Sequence, residues 1–244
     1  MMPPCLSPHH VIANLYRGQP LPRRPNYGKL SEEQPALKRT VERGAGMTSD
    51  STIIARARMM KAVDESLGRI LASLEKSRQL ADTVVIFTSD HGYFYGEHGL
   101  GPERRLAYEE SIRIPLLVRY PRLFAAGSTP AKFALSIDVA ATTLALSGVK
   151  TTQPLHGLPL HSGKPRDAIL LEYFSDSVFP NVQKMGYKAV RTNQWKYIRY
   201  EDISDSDEVY DLRNDPYEMN NVIRHRSTPV AALGRRLDHL LRSS

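Results

Sequence analysis

The chain has 244 residues, 41% of them hydrophobic and 24% charged, a composition that is typical of a globular protein able to bury a core. No apolar run approaches the roughly 20 residues of a membrane-spanning helix, so no membrane span is expected. The net charge of +7 favours anionic partners, but no nucleic acid is expected, because the Lys and Arg residues are scattered and no nucleic-acid-binding motif is present.

Residues 1–48 are predicted to form an irregular, proline-rich arm, because prolines recur along them and disfavour a long helix or a central strand. We expect this arm to lie over other parts of the protein. Residues 1–8 lack the basic start and the apolar core of a secretory signal peptide. The single cysteine, Cys5, excludes an internal disulfide and any metal site that needs several cysteines.

A long amphipathic helix is predicted to begin near Ser49 and to end within residues 76–79. Ser49, Asp50 and Ser51 are good N-terminal caps, and apolar residues between Ile53 and Leu74 recur at helical spacing. That apolar stripe indicates a helix packed against a core.

Residues 83–88 are mostly β-branched or apolar and predict a short strand covered on both faces, as in a parallel sheet. With the helix before it, this strand would make an α/β crossover unit. Asp90 and His91 follow directly, and open α/β sheets bind ligands at the carboxyl ends of their strands, so both are candidate site residues. The alternative is an ordinary turn, with Asp90 as a cap, Gly92 at positive φ and His91 facing water.

A glycine-containing loop with two adjacent arginines, Arg104 and Arg105, leads to a second buried strand at residues 115–120. A helix is predicted at residues 136–147, with Ser136 or Asp138 as its cap and Gly148 just after its end. Four strands and a last helix follow, at residues 169–174, 187–191, 195–200, 208–212 and 229–241. Strands in immediate succession favour an antiparallel sheet, so we expect a small α+β subdomain at residues 166–244 after an α/β part at residues 49–165.

The string from Ser89 to Leu116 resembles the sulfatase family of the alkaline-phosphatase-like superfamily, which includes arylsulfatases, choline-sulfatases and iduronate-sulfatases. Family members carry an SDHG or TDNG turn, then GEHGL, a basic residue and YEES-x-R-x-P-L. The same pieces stand here in the same order, as SDHG at 89–92, GEHGL at 96–100, Arg104, YEES at 108–111, Arg113 and PL at 115–116. The strings AVRTNQWKYIRY and EVYDLRNDPYEMNNV resemble the family's C-terminal subdomain.

This resemblance extends over about residues 50–244 and implies both a fold and an activity. The implied fold is α/β, part of an alkaline-phosphatase-like mixed sheet with flanking helices, plus a small C-terminal α+β subdomain with an antiparallel sheet. The implied activity is hydrolysis of a small-molecule or carbohydrate sulfate ester with the help of Ca²⁺. Family members are often exported or lysosomal.

The resemblance also implies roles for four residues. Asp90 would be an oxygen ligand of calcium, and His91 would lie beside the metal. Arg104 stands where many members have a sulfate-binding lysine, and Arg105 would take that place if the loop is one residue longer than usual.

The family's nucleophile motif, C/S-x-P/A-x-R, has no counterpart here. Cys5-Leu6-Ser7-Pro8-His9 has Ser where Pro or Ala is needed and His where Arg is needed. We therefore expect the C-terminal portion of a sulfatase, inactive as this chain alone. Two alternatives stay open: a non-catalytic remnant or anion-binding module, and a phosphoester or phosphonate hydrolase of the same superfamily.

Overall fold

The structure is a computed structural model, and it describes residues 14–43, 46–130, 133–175 and 178–243. The expectations for residues 1–8 and for Cys5 lie outside these ranges. Within them, the chain forms a two-stranded and a four-stranded sheet, both antiparallel, with helices beside them. No helix in the described ranges combines the length and the apolar character that crossing a bilayer requires.

The arm is not irregular throughout, because it contains the helix α1, Pro35–Glu42. Pro35 lies at the start of α1, where its missing N–H costs no hydrogen bond and its fixed φ suits the helix. Ala36 and Leu37 are fully buried, and the Gln34 side chain donates to the Tyr210 hydroxyl at 3.0 Å. The described part of the arm therefore lies over the C-terminal part of the chain, as expected.

The long helix α2, Asp50–Lys76, forms where the sequence predicts it, and the Ser49 hydroxyl accepts a hydrogen bond from the Thr52 N–H at 3.3 Å. The expectation that it packs against a core is wrong for the described residues. None of its residues is buried, and Met59 on its apolar side is 69% exposed. The apolar stripe of α2 correctly predicted a helix, but no described element of the structure covers it.

The strands β1, Val85–Thr88, and β2, Leu116–Arg119, pair antiparallel, with Val85 opposite Arg119 and Thr88 opposite Leu116. The expectation of a parallel sheet covered on both faces is therefore wrong for this pair. The loop between the strands reverses the chain, so β2 runs back along β1. Both strands are only half-buried, and Leu117 is 65% exposed.

A short helix, α3, Glu109–Ile112, lies between these strands, and α4, Ile137–Ser147, follows them. Ser136 precedes α4 but makes no capping hydrogen bond through its side chain. Asp138 instead accepts from the Leu135 N–H at 2.8 Å, just before the helix. Gly148 ends α4 in the left-handed conformation, at φ 70°, a geometry that glycine adopts without strain.

The C-terminal sheet is antiparallel, as predicted. Its strands are β3, Ala168–Tyr173; β4, Tyr187–Thr192; β5, Trp195–Tyr200; and β6, Glu208–Asp211, in the order β3-β4-β5-β6. The last helix, α5, Val230–Ser243, packs Leu233 and Leu237 against one face of this sheet.

The opposite face of the sheet packs against residues from the arm and from the loop between β1 and β2. This cluster contains Ala36, Leu37, Phe94, Leu100, Leu106, Ala107, Tyr108, Val182, Met185, Tyr187, Ala189, Ile198, Tyr200 and Tyr210. One hydrophobic core thus joins segments on both sides of the expected boundaries. The division of the chain into domains at residues 48 and 165 stays a prediction.

Candidate anion-binding cleft

The turn after β1 presents Asp90 to solvent, with its side chain 82% exposed. Its Oδ1 accepts hydrogen bonds from the His91 backbone N–H at 2.9 Å and from the Ser89 hydroxyl at 3.3 Å. The hydrogen bond from the His91 backbone, more than any other contact, lowers the pKa of Asp90. The result is an ionised carboxylate whose second oxygen is accessible to a ligand.

His91 turns its ring back onto the same turn. Its Nδ1 lies 2.7 Å from the Gly92 carbonyl oxygen, to which it donates, and its Nε2 lies 3.4 Å from Asp90 Oδ2. The Nε2 atom is therefore the ring nitrogen beside the carboxylate.

Gly92 is needed for close backbone approach and not for a positive φ, since it is absent from the positive-φ glycines. Its N–H donates to the Ser111 carbonyl oxygen at 2.6 Å, and a Cβ at this position would overlap the Glu110 carbonyl oxygen. The turn is thus pressed against α3. This contact fixes Asp90 and His91 relative to the segment that follows the two arginines.

Arg104 and Arg105 are held by their backbones and differ in their side chains. The buried Glu103 carboxylate accepts from both backbone N–H groups, at 2.7 and 2.8 Å, and from the Arg105 guanidinium at 3.2 Å. The Arg105 guanidinium also lies 3.4 Å from the Phe179 ring centroid. The Arg104 guanidinium makes no hydrogen bond or ion pair to any residue in the described ranges.

All four candidate residues line one open cleft of about 740 Å³. Asp90 and His91 reach it from the turn after β1, and Arg104 and Arg105 reach it from the glycine-containing loop. Further walls come from the end of α3 and from the C-terminal sheet, which contribute Arg113 and Arg191. Such a cluster of guanidinium groups suits an oxyanion, because their N–H forks match pairs of its oxygens.

Sequence reasoning missed a chain of buried charges behind this cleft. The Glu109 carboxylate accepts from Arg191 Nε and Nη2, each at 3.1 Å, and its Oε1 lies 2.9 Å from Lys196 Nζ. Lys196 Nζ also lies 2.6 Å from the Glu218 carboxylate, and both side chains are fully buried. Burial alone would raise the pKa of Glu109, but the charges of Lys196 and Arg191 outweigh it and lower that pKa to about 2.

The sequence contained one signal for these buried charges. Alternate residues of a strand share a face, so Lys196 shares the face of the apolar residues Ile198 and Tyr200. A lysine on the core face of a strand needs a buried anion. The sequence did not indicate which carboxylates supply it.

The turn that carries Asp90 and His91 can supply some, but not all, of the ligands of a divalent cation. The ionised, exposed carboxylate of Asp90 is the oxygen donor that calcium prefers. In the described part of the chain, however, no group of three or more His, Cys, Asp or Glu side chains is placed to hold a metal ion. Calcium takes about six to eight ligands, so further donors are needed.

Comparison with solved structures identifies the class of fold. A protein solved in complex with its substrate D-glucosamine-2-N,6-O-disulfate superposes with a TM-score of 0.70 at 29% identity, over 83% of this chain and 44% of that one. The phosphonate monoester hydrolase of Agrobacterium radiobacter superposes with a TM-score of 0.65 at 27% identity, over 76% of this chain and 40% of that one. The fold is that of alkaline-phosphatase-like hydrolases.

Two family models match, the sulfatase domain over residues 12–149 and the C-terminal region of N-sulphoglucosamine sulphohydrolase over residues 96–243. Each matches more than half of the chain, and the chain therefore belongs to the sulfatase family. The fold class expected from the sequence is thereby confirmed.

Curated relatives agree with this assignment. The N-acetylglucosamine-6-O-sulfatase of Bacteroides thetaiotaomicron is 37% identical over 66% of this chain and 30% of its own length. Arylsulfatase K of Gallus gallus is 34% identical over 76% of this chain and 35% of its own. The arylsulfatase of Volvox carteri is 30% identical over 98% of this chain and 42% of its own. The chain thus spans less than half the length of these relatives.

Proposed function

We propose that this chain forms the sulfate-binding wall of a sulfatase that hydrolyses carbohydrate sulfate esters. The observation that carries the proposal is the single cleft lined by Asp90, His91, Arg104 and Arg105. The substrate class is supported by a relative named as an N-acetylglucosamine-6-O-sulfatase and by a similar structure solved with its substrate D-glucosamine-2-N,6-O-disulfate.

Arg104 is the residue we assign to the sulfate group. Its guanidinium lines the cleft and makes no ion pair in the described ranges, so it can donate to an oxyanion without breaking an existing contact. Arg105 already bonds Glu103 and stacks on Phe179, so engaging sulfate would cost those contacts. This difference supports Arg104 over Arg105.

Asp90 and His91 are assigned to the calcium site. Asp90 would give an oxygen ligand, and His91 would lie beside the metal, with its Nε2 3.4 Å from Asp90 Oδ2. A bound divalent cation would neutralise charge that develops on the sulfate oxygens. Arg104 would strengthen its hydrogen bonds to those oxygens as that charge grows.

A phosphonate or phosphoester substrate is the second candidate. It is favoured by the similarity to the phosphonate monoester hydrolase of Agrobacterium radiobacter. Both substrate classes present tetrahedral oxyanions, so the arginines of the cleft suit either.

Binding of inorganic sulfate and inorganic phosphate to the 244-residue chain tests the proposal, with chemical shifts of arginine side chains as the measurement. Arg104→Ala should weaken sulfate binding by about tenfold or more, the loss expected for one charge-assisted contact. Arg104→Lys should recover part of it, because the charge returns without the fork. Arg122→Ala is the control, because Arg122 pairs with Asp82, away from the cleft.

The outcomes separate the assignments. A silent Arg104→Ala with a severe Arg105→Ala would move the sulfate contact to Arg105. If both variants were silent, the sulfate-binding role would be refuted. Tighter binding of phosphate than sulfate would favour the second candidate.

A catalytic test needs this chain joined to a sulfatase segment that carries the nucleophile motif. There, Arg104→Ala should retain metal and lower kcat/KM by about 10² to 10³, as expected when one oxyanion donor is lost. Asp90→Ala should lose bound calcium and activity together. Metal content and rate are measured on the same preparations, and an active, calcium-replete Asp90→Ala would contradict the metal assignment.

A further inference from the structure

We propose that Lys196 and Glu218, both fully buried, are positioning residues that hold the arginines of the cleft in place. The proposal rests on the proposed function, because it assigns these residues to the same cleft. Neither residue lines the cleft itself, so each acts only through the residues that it contacts.

The four charges behind the cleft balance one another. Lys196 lies between Glu109 and Glu218, at 2.9 and 2.6 Å, and Arg191 bonds both carboxylate oxygens of Glu109. Two cations thus face two carboxylates. Removal of one partner from a buried pair leaves an uncompensated charge, which is strongly destabilising. Each member of this set therefore depends on an opposite charge that another member supplies.

Glu109 in turn fixes α3. This helix has four residues, fewer than an isolated helix needs to be stable, so tertiary contacts determine where it lies. Glu218 accepts from the Glu109 backbone N–H at 2.8 Å, while Lys196 and Arg191 hold the Glu109 side chain. The first residue of α3 is thus tied to the C-terminal sheet through its side chain and to the loop after β6 through its backbone.

The arginines of the cleft are attached to α3 at several points. The Ser111 hydroxyl donates to the Arg104 carbonyl oxygen, and the Arg113 N–H donates to the Glu109 carbonyl oxygen at 3.0 Å. Arg191 is bound to the Glu109 carboxylate directly. Movement of Glu109 would therefore shift guanidinium groups on three sides of the cleft. Oxyanion donors lose most of their effect when displaced by about 1 Å.

A charge-neutral double variant separates this role from a contribution to stability alone. Lys196→Met with Glu218→Gln removes one charge of each sign and leaves the Glu109–Arg191 pair. Replacement of a buried ion pair by residues of similar volume is often neutral for folding. The control is Arg199→Met with Asp238→Asn, which removes a 2.9 Å ion pair between β5 and α5 that lies outside the cleft.

The measurements are the affinity for inorganic sulfate, the thermal melt, and water exchange of the Arg191 Nε–H in NMR spectra. We expect the Lys196 and Glu218 double variant to melt cooperatively, to bind sulfate about tenfold more weakly, and to exchange the Arg191 Nε–H faster. The control variant should match the unsubstituted chain in affinity and exchange.

A folded double variant with unchanged sulfate affinity would overturn the positioning role. If that variant does not fold, Lys196→Arg replaces it, because it keeps the charge but changes the geometry at Glu109; unchanged affinity there would also overturn the role. Failure of the unsubstituted chain to bind sulfate would instead refute the proposed function, before any variant is compared.

Discussion

We expect the buried carboxyl of Glu208 to make the stability of the protein depend on pH. Burial is the main cause that raises the pKa of Glu208 to about 8. The hydroxyl groups of Tyr108 and Tyr210 donate hydrogen bonds to the carboxylate and lower the pKa, but they do not outweigh burial. Its Oε1 is buried and has no hydrogen-bond partner in the described part of the chain, so an ionised form would leave a charged oxygen unsolvated. Glu208 should therefore be protonated in the folded state at pH 7.

The sign of the effect follows from proton linkage. The pKa of Glu208 is 4.5 without the fold and about 8 with it, so between these values the folded state binds a proton that the unfolded state has lost. The free energy of unfolding should then fall by about 1.4 kcal/mol per pH unit as the pH rises, or about 3 kcal/mol from pH 5 to pH 7.

Glu109 acts in the opposite direction at lower pH. Its pKa falls from 4.5 to about 2 in the fold, because Lys196 and Arg191 stabilise the carboxylate against burial. The stability that it contributes is present above pH 4.5 and is lost as the pH falls toward 2. The two groups together place the maximum of stability near pH 5.

Denaturant unfolding at half-unit steps from pH 2 to 8 measures this profile. Glu208→Gln mimics the protonated carboxyl and should remove most of the slope between pH 5 and 8, while the acid limb remains. Glu201→Gln, a change at an exposed carboxylate, is the control. A Glu208→Gln variant that retained the slope would refute the role of Glu208.

Three further predictions concern Gly92, the exposed side of α2 and the activity of the chain alone. Gly92→Ala should destabilise the chain by about 1–3 kcal/mol in thermal melts, because the added Cβ would overlap the Glu110 carbonyl oxygen. Gly68→Ala is the control and should be neutral or stabilising, because the space around Gly68 is open. The exposed apolar side of α2 should make the chain associate as its concentration rises, and Met59→Lys should reduce this association. Light scattering measures it, and a monodisperse monomer would contradict the prediction. The chain alone should not hydrolyse an aryl sulfate, since it has no C/S-x-P/A-x-R motif, and turnover that Asp90→Ala abolishes would disprove this expectation.

The sequence predicted those features that depend on local pattern. The cap at Ser49, the αL glycine at Gly148 and the strands of the C-terminal sheet all follow from residues close to one another in the chain. The motif pieces between Ser89 and Arg113 also contain Asp90, His91, Arg104 and Arg105, which the structure places around one cleft.

Features that depend on distant partners were missed or wrong. The exposure of α2 could not be read from its apolar stripe, because periodicity gives the helical face and not what covers it. The pairing of Lys196 with Glu109 and Glu218 joins three separate segments, and the sequence pattern of each carries no sign of the others. The antiparallel run of β2 depends on the path of the long loop between the strands.

The contacts of the N-terminal arm have a consequence for biosynthesis. Gln34 bonds Tyr210 and the Glu218 carbonyl, and Asn26 bonds the Tyr217 carbonyl, across sequence separations of 176, 184 and 191 residues. At about 5–20 residues per second, a ribosome needs roughly 10–40 s to make the partners of a residue already synthesised. For that interval Leu37 lacks the strand residues of its core, such as Ala189 and Ile198, and we expect this segment of the nascent chain to be a binding site for a chaperone.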